Sequence, residues 1–486
     1  MHKSEDQNNT SQVLRIMDVN GAPIEVFTNN QLSPTYQEME SLKRIGKSHD
    51  VVKVIGLPDL HLKPRLEAPS SIVTATRNHL VPGYTSPSPN CGMAIITTSL
   101  DKQDLDESRI DTFIDDLRSR LDIRQRVPLL DTRELDEVLM YGAKSIVESY
   151  ELPLRTTEHM DEGGDAFMGA SEPDEVLAGI PLGALKVGSV EFGSIGRGNH
   201  FIELQYVESI SDAEVAEQWA LKPGQILIML HVDSGRFGAI LGRLFSYRQK
   251  NTLTGRIYLS RMKMPYIVQN GKFSRLPQRI YYHLWPRRFA AVPFDNEEGQ
   301  RTLKNFRFAA NYAYANRVLV FELIRQTFRK IWGESVELPH LLWDAPHNSI
   351  RSEQHGGETL WVHRHNAARA LPVSKLPSDS FFKPTGQPVL LPGLDRTHSF
   401  LCVAGEGISK TLNSVCHGAG SSISQISEQT DQNSWVRLYD MKDGFIGTAP
   451  KMSDIGLTQV LSVLQKFSLA HPVAELRPLA VLKDSG

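Results

Sequence analysis

Three cysteines in 486 residues, Cys91, Cys402 and Cys416, are too few for a disulfide framework and suit a reducing compartment. Nor does any stretch approach the roughly 20 uncharged apolar residues that cross a bilayer. The most apolar windows, such as Gln225 to His231, have only the length of a strand. The opening segment, Met1 to Ser11, is polar and has no apolar centre of the kind a secretory leader needs. An excess of one sign of charge is also missing. The formal net charge is −3, so no global basic field announces nucleic acid, and a site for a polyanion has to be a local patch. Neither a zinc-finger spacing nor an HExxH pair occurs, and no internal repeat is visible. The expectation is a soluble cytoplasmic protein with no membrane partner.

What is present is an ordinary globular composition, 40% hydrophobic and 22% charged. Residues 1–48 give a strand-like and then helical lead-in. Val51 to Leu57 reads as a short β-branched strand ending in a polar loop, Pro58-Asp59-Leu60-His61. The Pro/Ser-rich turn from Val81 to Asn90 feeds Cys91-Gly92-Met93 and a strand over Ala94 to Leu100. Ile110 to Leu121 and Glu134 to Ser149 have helical periodicity, and Thr302 to Trp332 is the longest helical stretch. Arg155 to Gly179 is acidic and glycine-rich, which predicts a surface excursion. Strands are expected over Phe201 to Val207 and Gln225 to Leu230, and the C-terminal third alternates short strands with glycine turns. The pattern predicts one intertwined domain over residues 1–486.

Cys91, His200, His231, His347 and His417 each flank a short apolar run and stand beside small or turn-forming residues, as in Asn90-Cys91-Gly92 and Cys416-His417-Gly418. Several imidazoles with one thiolate suit a borderline or soft divalent ion such as zinc, manganese or iron. Small neighbours let backbone and ligand approach closely. Taken singly, each histidine reads more readily as a structural residue than as a ligand, and the cysteine as a small buried hydrophobe. Composition and periodicity stop at a candidate metal enzyme.

Longer words go further. Gly193-Ser194-Ile195-Gly196-Arg197-Gly198-Asn199-His200-Phe201-Ile202-Glu203 resembles the GSLGxGNHFxE signature of the RtcB RNA ligases, and Asn90-Cys91-Gly92-Met93 resembles their DxNCGM turn. Asp344-Ala345-Pro346-His347-Asn348 followed by Val362-His363-Arg364 is similar to their AHN…VHRK stretch. Gly386 to Gly393 and Cys416-His417-Gly418-Ala419-Gly420 complete the set, with shorter echoes at Pro58 to His61 and Leu476 to Lys483. The resemblance implies one large α+β domain with a metal-binding cleft. It also implies a GTP- and manganese-dependent ligase that joins an RNA 3′-phosphate or 2′,3′-cyclic phosphate to a 5′-hydroxyl, in RNA splicing or repair. On that resemblance His417 would be the nucleophile that forms a histidine–GMP intermediate. Cys91, His200, His231 and His347 would hold a pair of Mn2+ ions. Asn199, Glu203, Ser399, Ala419, Gly420 and Lys483 would place the nucleotide, with Lys483 at the guanine end and Asn199 and Glu203 on one face of a strand. Asp59 is a candidate group that supports the metal ligands from behind or meets the RNA end, and an archease-like activator a candidate partner.

Between Ser234 and Phe294 there are twelve Lys/Arg residues and no Asp or Glu, with tyrosines and Trp285 interleaved. Basic and aromatic groups in one segment suit a phosphate backbone with stackable bases; a solvated loop against an acidic neighbour is the alternative. Residues 234–294, with Arg287 and Arg288, are therefore a candidate RNA-contacting surface.

The chain departs from the family pattern at the site itself. Ser88 stands where the pattern has a metal-binding aspartate, and a hydroxyl is a much poorer ligand for a hard divalent ion than a carboxylate. The loop after His231 reads Val232-Asp233-Ser234-Gly235-Arg236, the loop after Gly393 reads Leu394-Asp395-Arg396-Thr397-His398-Ser399, Ser421 replaces an arginine, and Met452-Ser453-Asp454 replaces AYK. Asp233, two residues beyond His231, is the candidate replacement carboxylate for Ser88. The alternatives are an RNA-end-binding protein that no longer ligates, a shift of nucleotide preference away from GTP, or another metal-dependent phosphoryl transfer.

Overall fold

The computed structural model describes residues 10–17, 21–48, 50–63, 66, 68–123, 130–169, 180–245, 289–418, 429–453 and 455–484, together with 257, 260, 261, 263, 264, 267, 268, 276, 277 and 280. The architecture is α+β, with two principal sheets. The larger has nine strands. Seven follow in the order His340–Pro346, Gly92–Asp101, Gln225–Val232, Phe201–Ile210, Ala470–Lys483, Ser399–Ala404 and Pro388–Leu391, and the hairpin Gln429–Asp440/Gly444–Ser453 joins through Ala470–Lys483. A six-stranded sheet carries Val51–His61 and the hairpin Asn348–His355/Glu358–His365.

Strand alternation sorts the side chains of the large sheet into two cores. Ala94, Ile96, Ile202, Leu204, Ile228 and Leu230 pack with the long helix Glu297–Trp332. Met93, Ile95, Phe201, Leu227, Met229 and Val481 form the core on the other face. His231, Glu203, Gln205 and Lys483 share the parity of that second set, so their side chains stand on the face away from the long helix.

The helix has 36 residues, roughly 54 Å at 1.5 Å per residue. It starts where Asn296 caps Gly299 N, carries Glu297 and Glu298 in its first turn and Arg329 and Lys330 in its last, and stops at Gly333 with φ +86°. Most of its surface is buried, because the sheet lies on one side and the helices Glu107–Leu121, Thr132–Tyr141, Ala143–Ser149 and Gly235–Phe245 on the other. Among the described residues no helix is long and apolar enough to cross a membrane.

Four local expectations need correction. The strand expected over Val51 to Leu57 runs on to His61, so Pro58 and Asp59 lie within it and not in a loop. The single helix expected over Glu134 to Ser149 breaks at Gly142, whose φ of +55° and close approach to the Gly164 carbonyl exclude a side chain. The acidic stretch after Arg155 is not all surface. Asp161 is fully buried, where it accepts from Arg351 and Arg369. The C-terminal third also holds long strands of 12, 10 and 14 residues.

Candidate metal centre

Four adjacent strands of the large sheet end at one place. Cys91 immediately precedes Gly92–Asp101, His200 precedes Phe201–Ile210, His231 is the penultimate residue of Gln225–Val232, and His347 follows His340–Pro346. The pairing is antiparallel, so the start of one strand lies beside the end of its neighbour: Met93 is opposite His231, Phe201 is opposite His231, and Gly92 is opposite Pro346. His417 enters from the strand Ser414–Cys416, its backbone N–H donating to the Asn366 carbonyl at 3.1 Å.

Cys91 Sγ lies 3.1 Å from His231 Nε2 and 3.4 Å from His200 Nε2. Two triads meet at this thiol. Cys91, His231 and His347 offer ligand atoms all within 4.8 Å of one another, and so do Cys91, His200 and Asp233. All five residues are buried. His231 Nδ1 donates to the Asn199 carbonyl at 3.1 Å, which leaves Nε2 with its lone pair toward the cluster. The His417 ring stacks on His347, with centroids 3.8 Å apart and planes at 23°. Ser88, at the position of the pattern's lost aspartate, donates its hydroxyl hydrogen to Asp233 Oδ2.

Burial and neighbouring charges keep His417, His231 and His347 neutral. Burial, then the Lys63 ammonium and the His200 and His61 imidazoles, hold His417 down at about 3. Burial and neighbouring imidazoles likewise depress His231 and His347 far below the usual range. Burial and the Asp233 carboxylate hold the Cys91 thiol well above its ordinary value. A divalent cation reverses that last effect, since a coordinating thiol gives up its proton. Buried nitrogen, sulfur and oxygen donors converging in this way fit a borderline divalent ion.

Arg317 of the long helix braces the strand ends. Its guanidinium makes two hydrogen bonds to Asp344, at 2.6 and 2.8 Å, and a third at 2.8 Å to the Asn90 carbonyl. Gly92 makes this approach possible, because a Cβ there would sit 2.9 Å from the guanidinium carbon. Gly196 plays the same part on the other side, where a Cβ would come within 2.7 Å of His200 Nδ1. A cavity of about 470 Å3 opens beside His200 and Asp233, with Ser194, Arg197, Arg236 and Lys442 also on its walls.

A second polar group lies farther along the same face of the sheet. Gln205 Nε2 donates to Glu203 Oε1 at 2.6 Å and to Ser399 Oγ at 3.2 Å, and Ser399 Oγ also accepts from Gly393 N at 3.0 Å. Lys483, the last residue of its strand, donates to Asp395. Burial pushes the Glu203 carboxyl up to about 8, and the Asp395 charge adds to the effect.

The structure therefore gathers Cys91, His200, His231, His347, His417 and Asp233 into one cluster and Glu203, Ser399 and Lys483 into another. Asn199 sits in the loop before its strand, which begins at Phe201, and is exposed; the strand position expected for it does not exist. Asp59 is buried, with Oδ1 3.5 Å from His61 Nδ1 and Oδ2 accepting from Ser71 at 3.3 Å. Ala419, Gly420, Arg287 and Arg288 lie outside the described residues, as does most of the 234–294 segment beyond Phe245; within it, Lys263 is buried. Sequence reasoning missed Lys63, whose charge reaches Cys91, His231, His347 and His417. It also missed Gln205, which the two-residue period from Glu203 would have found.

A family model described as tRNA-splicing ligase RtcB matches residues 41–484. The tRNA-splicing ligase RtcB of Thermococcus kodakarensis is 30% identical over 417 residues, which cover 81% of this chain and 80% of that protein. The protein of the same name from Pyrococcus furiosus is 30% identical over 420 residues, 81% of this chain and 40% of its own length. RNA-splicing ligase RtcB homolog 2 of Entamoeba dispar is 28% identical over 465 residues, 89% of this chain and 81% of that protein.

Proposed function

The chain belongs to the RtcB family, and on that premise we propose that it is an RNA ligase that joins a 3′-phosphate or 2′,3′-cyclic phosphate end to a 5′-hydroxyl end at the expense of GTP. The observation that carries the reading is the pair of donor triads sharing Cys91, with the neutral His417 ring stacked against one of them. Cys91, His231 and His347 would hold one ion, and Cys91, His200 and Asp233 a second, with Mn2+ the metal the family implies. Such ions supply charge neutralisation for phosphate oxygens.

His417, kept unprotonated by burial, has a nitrogen lone pair for the α-phosphorus of GTP. The N–P bond forms as the bond to the bridging oxygen breaks, and pyrophosphate leaves. A 2′,3′-cyclic end is first opened by water, which breaks the bond from phosphorus to O2′ and leaves a 2′-hydroxyl and a 3′-phosphate. The RNA 3′-phosphate oxygen then takes the GMP from His417. Attack of the 5′-hydroxyl oxygen on the same 3′-phosphorus displaces GMP and closes the strand, with loss of the hydroxyl proton. Phosphoryl transfer of this kind asks the protein mainly for alignment and charge compensation. Glu203, Ser399 and Lys483 are assigned to the nucleotide, with Glu203 and Lys483 at the base. Asp59 holds His61 beside the nucleophile, and Arg287 and Arg288 are kept as RNA contacts. An archease-like activator and a cytoplasmic setting accompany this reading.

The test is transfer of label from α-labelled GTP to the manganese-loaded protein, with His417→Ala beside it. Acid-labile label on the wild type and none on the variant is expected. A wild type that binds metal and RNA 3′-phosphate ends but takes no label would establish an RNA-end-binding protein that does not ligate.

A further inference from the structure

The nucleotide end of the cleft holds one more charged group than recognition of guanine needs. Guanine offers one acceptor, O6, beside two donors, N1–H and the N2 amino group, so an ammonium and an ionised carboxylate complete its edge. Lys483 and Glu203 are that pair. Asp395 is a third group, and it accepts a hydrogen bond from the Lys483 ammonium. Its side chain is 46% exposed and that of Lys483 25%, so both are open to solvent. Below them Gln205 is fully buried. Both its amide hydrogens are taken by Glu203 and Ser399, and its Oε1 has no partner among the described residues.

Adenine presents the reverse pattern at the corresponding atoms, an amino donor at N6 and a ring acceptor at N1. Asp395 offers an acceptor to that amino group. Asp395 also engages the Lys483 ammonium, which would otherwise be available to guanine O6. We propose that Asp395 is a specificity-determining residue that lets the base pocket take adenine as well as guanine, by accepting from the exocyclic amino group and by restraining Lys483. The inference rests on the assignment of Glu203 and Lys483 to the base. Burial supports it from another side: with its carboxyl raised to about 8, Glu203 can donate from an O–H to adenine N1 at neutral pH or, at small cost, ionise to accept from guanine.

The experiment measures equilibrium binding of α-labelled GTP and of α-labelled ATP to the manganese-loaded full chain, as wild type, Asp395→Ala and Asp395→Asn. Wild type is expected to bind the two nucleotides within about tenfold of each other. Asp395→Ala is expected to raise the preference for GTP by about tenfold, the worth of one hydrogen-bonded acceptor and a freed cation. Asp395→Asn, which keeps an acceptor oxygen without the charge, falls between them. A ratio unchanged in Asp395→Ala, or a wild type that rejects ATP by more than about a hundredfold, overturns the proposal while leaving the ligase reading intact. Failure of wild type to bind either nucleotide overturns the assignment of the base pocket, and this inference with it.

Discussion

Where Ser88 donates to Asp233, a hydroxyl and a carboxylate meet at the edge of a thiol–imidazole cluster. Only the carboxylate is a strong ligand for a hard divalent ion, and it is Asp233 whose oxygen lies within 4.8 Å of Cys91 and His200 ligand atoms. Asp233→Asn is expected to lower the metal content from about two ions per chain toward one, measured by elemental analysis after dialysis against manganese. The fold should persist, because Asn can still accept from Gly235 N, as Asp233 Oδ1 does at 2.6 Å. Unchanged stoichiometry would remove Asp233 from the ligand set. The place of Asp233 beside the cluster was legible in the sequence, because it stands two positions beyond His231 while Ser88 lacks the carboxylate of the family pattern. Lys63 and Asp395 were not legible. Their roles depend on what the fold brings against them, and no spacing along the chain encodes that approach.

Elements were easier to read than their junctions. The periodicity found the long helix and the core strands, because alternating apolar residues report directly on which face is covered. It did not find that Arg317, 1% exposed, would lie on the inward face of that helix and clamp the strand ends. A buried arginine violates the pattern and is tolerated only because Asp344 and the Asn90 carbonyl occupy its donors. Arg317→Ala would leave the fully buried Asp344 carboxyl without its partner. The expected loss is about 3–5 kcal/mol in denaturant unfolding, together with lower manganese affinity as the Cys91 and His347 strand ends separate. Arg317→Lys should recover little, since an ammonium cannot reproduce the forked geometry. A loss below about 1 kcal/mol would mean the clamp is not what holds the centre together.

At the scale of the whole molecule, the site exists because segments far apart in the chain become neighbours: residues near 91, 200, 231 and 347 close four adjacent strands of one sheet. The order of those strands does not follow chain order, so spacing alone offered candidate ligands without saying that they converge, and only the resemblance of longer words implied it. Folding also buries titratable groups, and the fold's stability then depends on pH. His363, held neutral with Nε2 accepting from Val81 N at 2.9 Å, is depressed by burial to about 4 from an ordinary 6.5. Its contribution is present above 6.5 and is lost as pH falls toward 4. Glu203 acts in the opposite sense, raised from 4.5 to about 8. Below 4.5 it is protonated in both folded and unfolded chains. Between 4.5 and 8 the unfolded chain ionises while the folded one keeps its proton, so stability declines with rising pH and levels off above 8. Glu203→Gln removes that ionisation and retains an oxygen to accept from Gln205. The variant should therefore match the wild type near pH 4.5 and exceed it by pH 9, by on the order of a few kcal/mol, in denaturant unfolding followed across the range. Parallel curves would show that Glu203 is already ionised in the folded chain, and that the base end of the cleft carries a full negative charge at neutral pH.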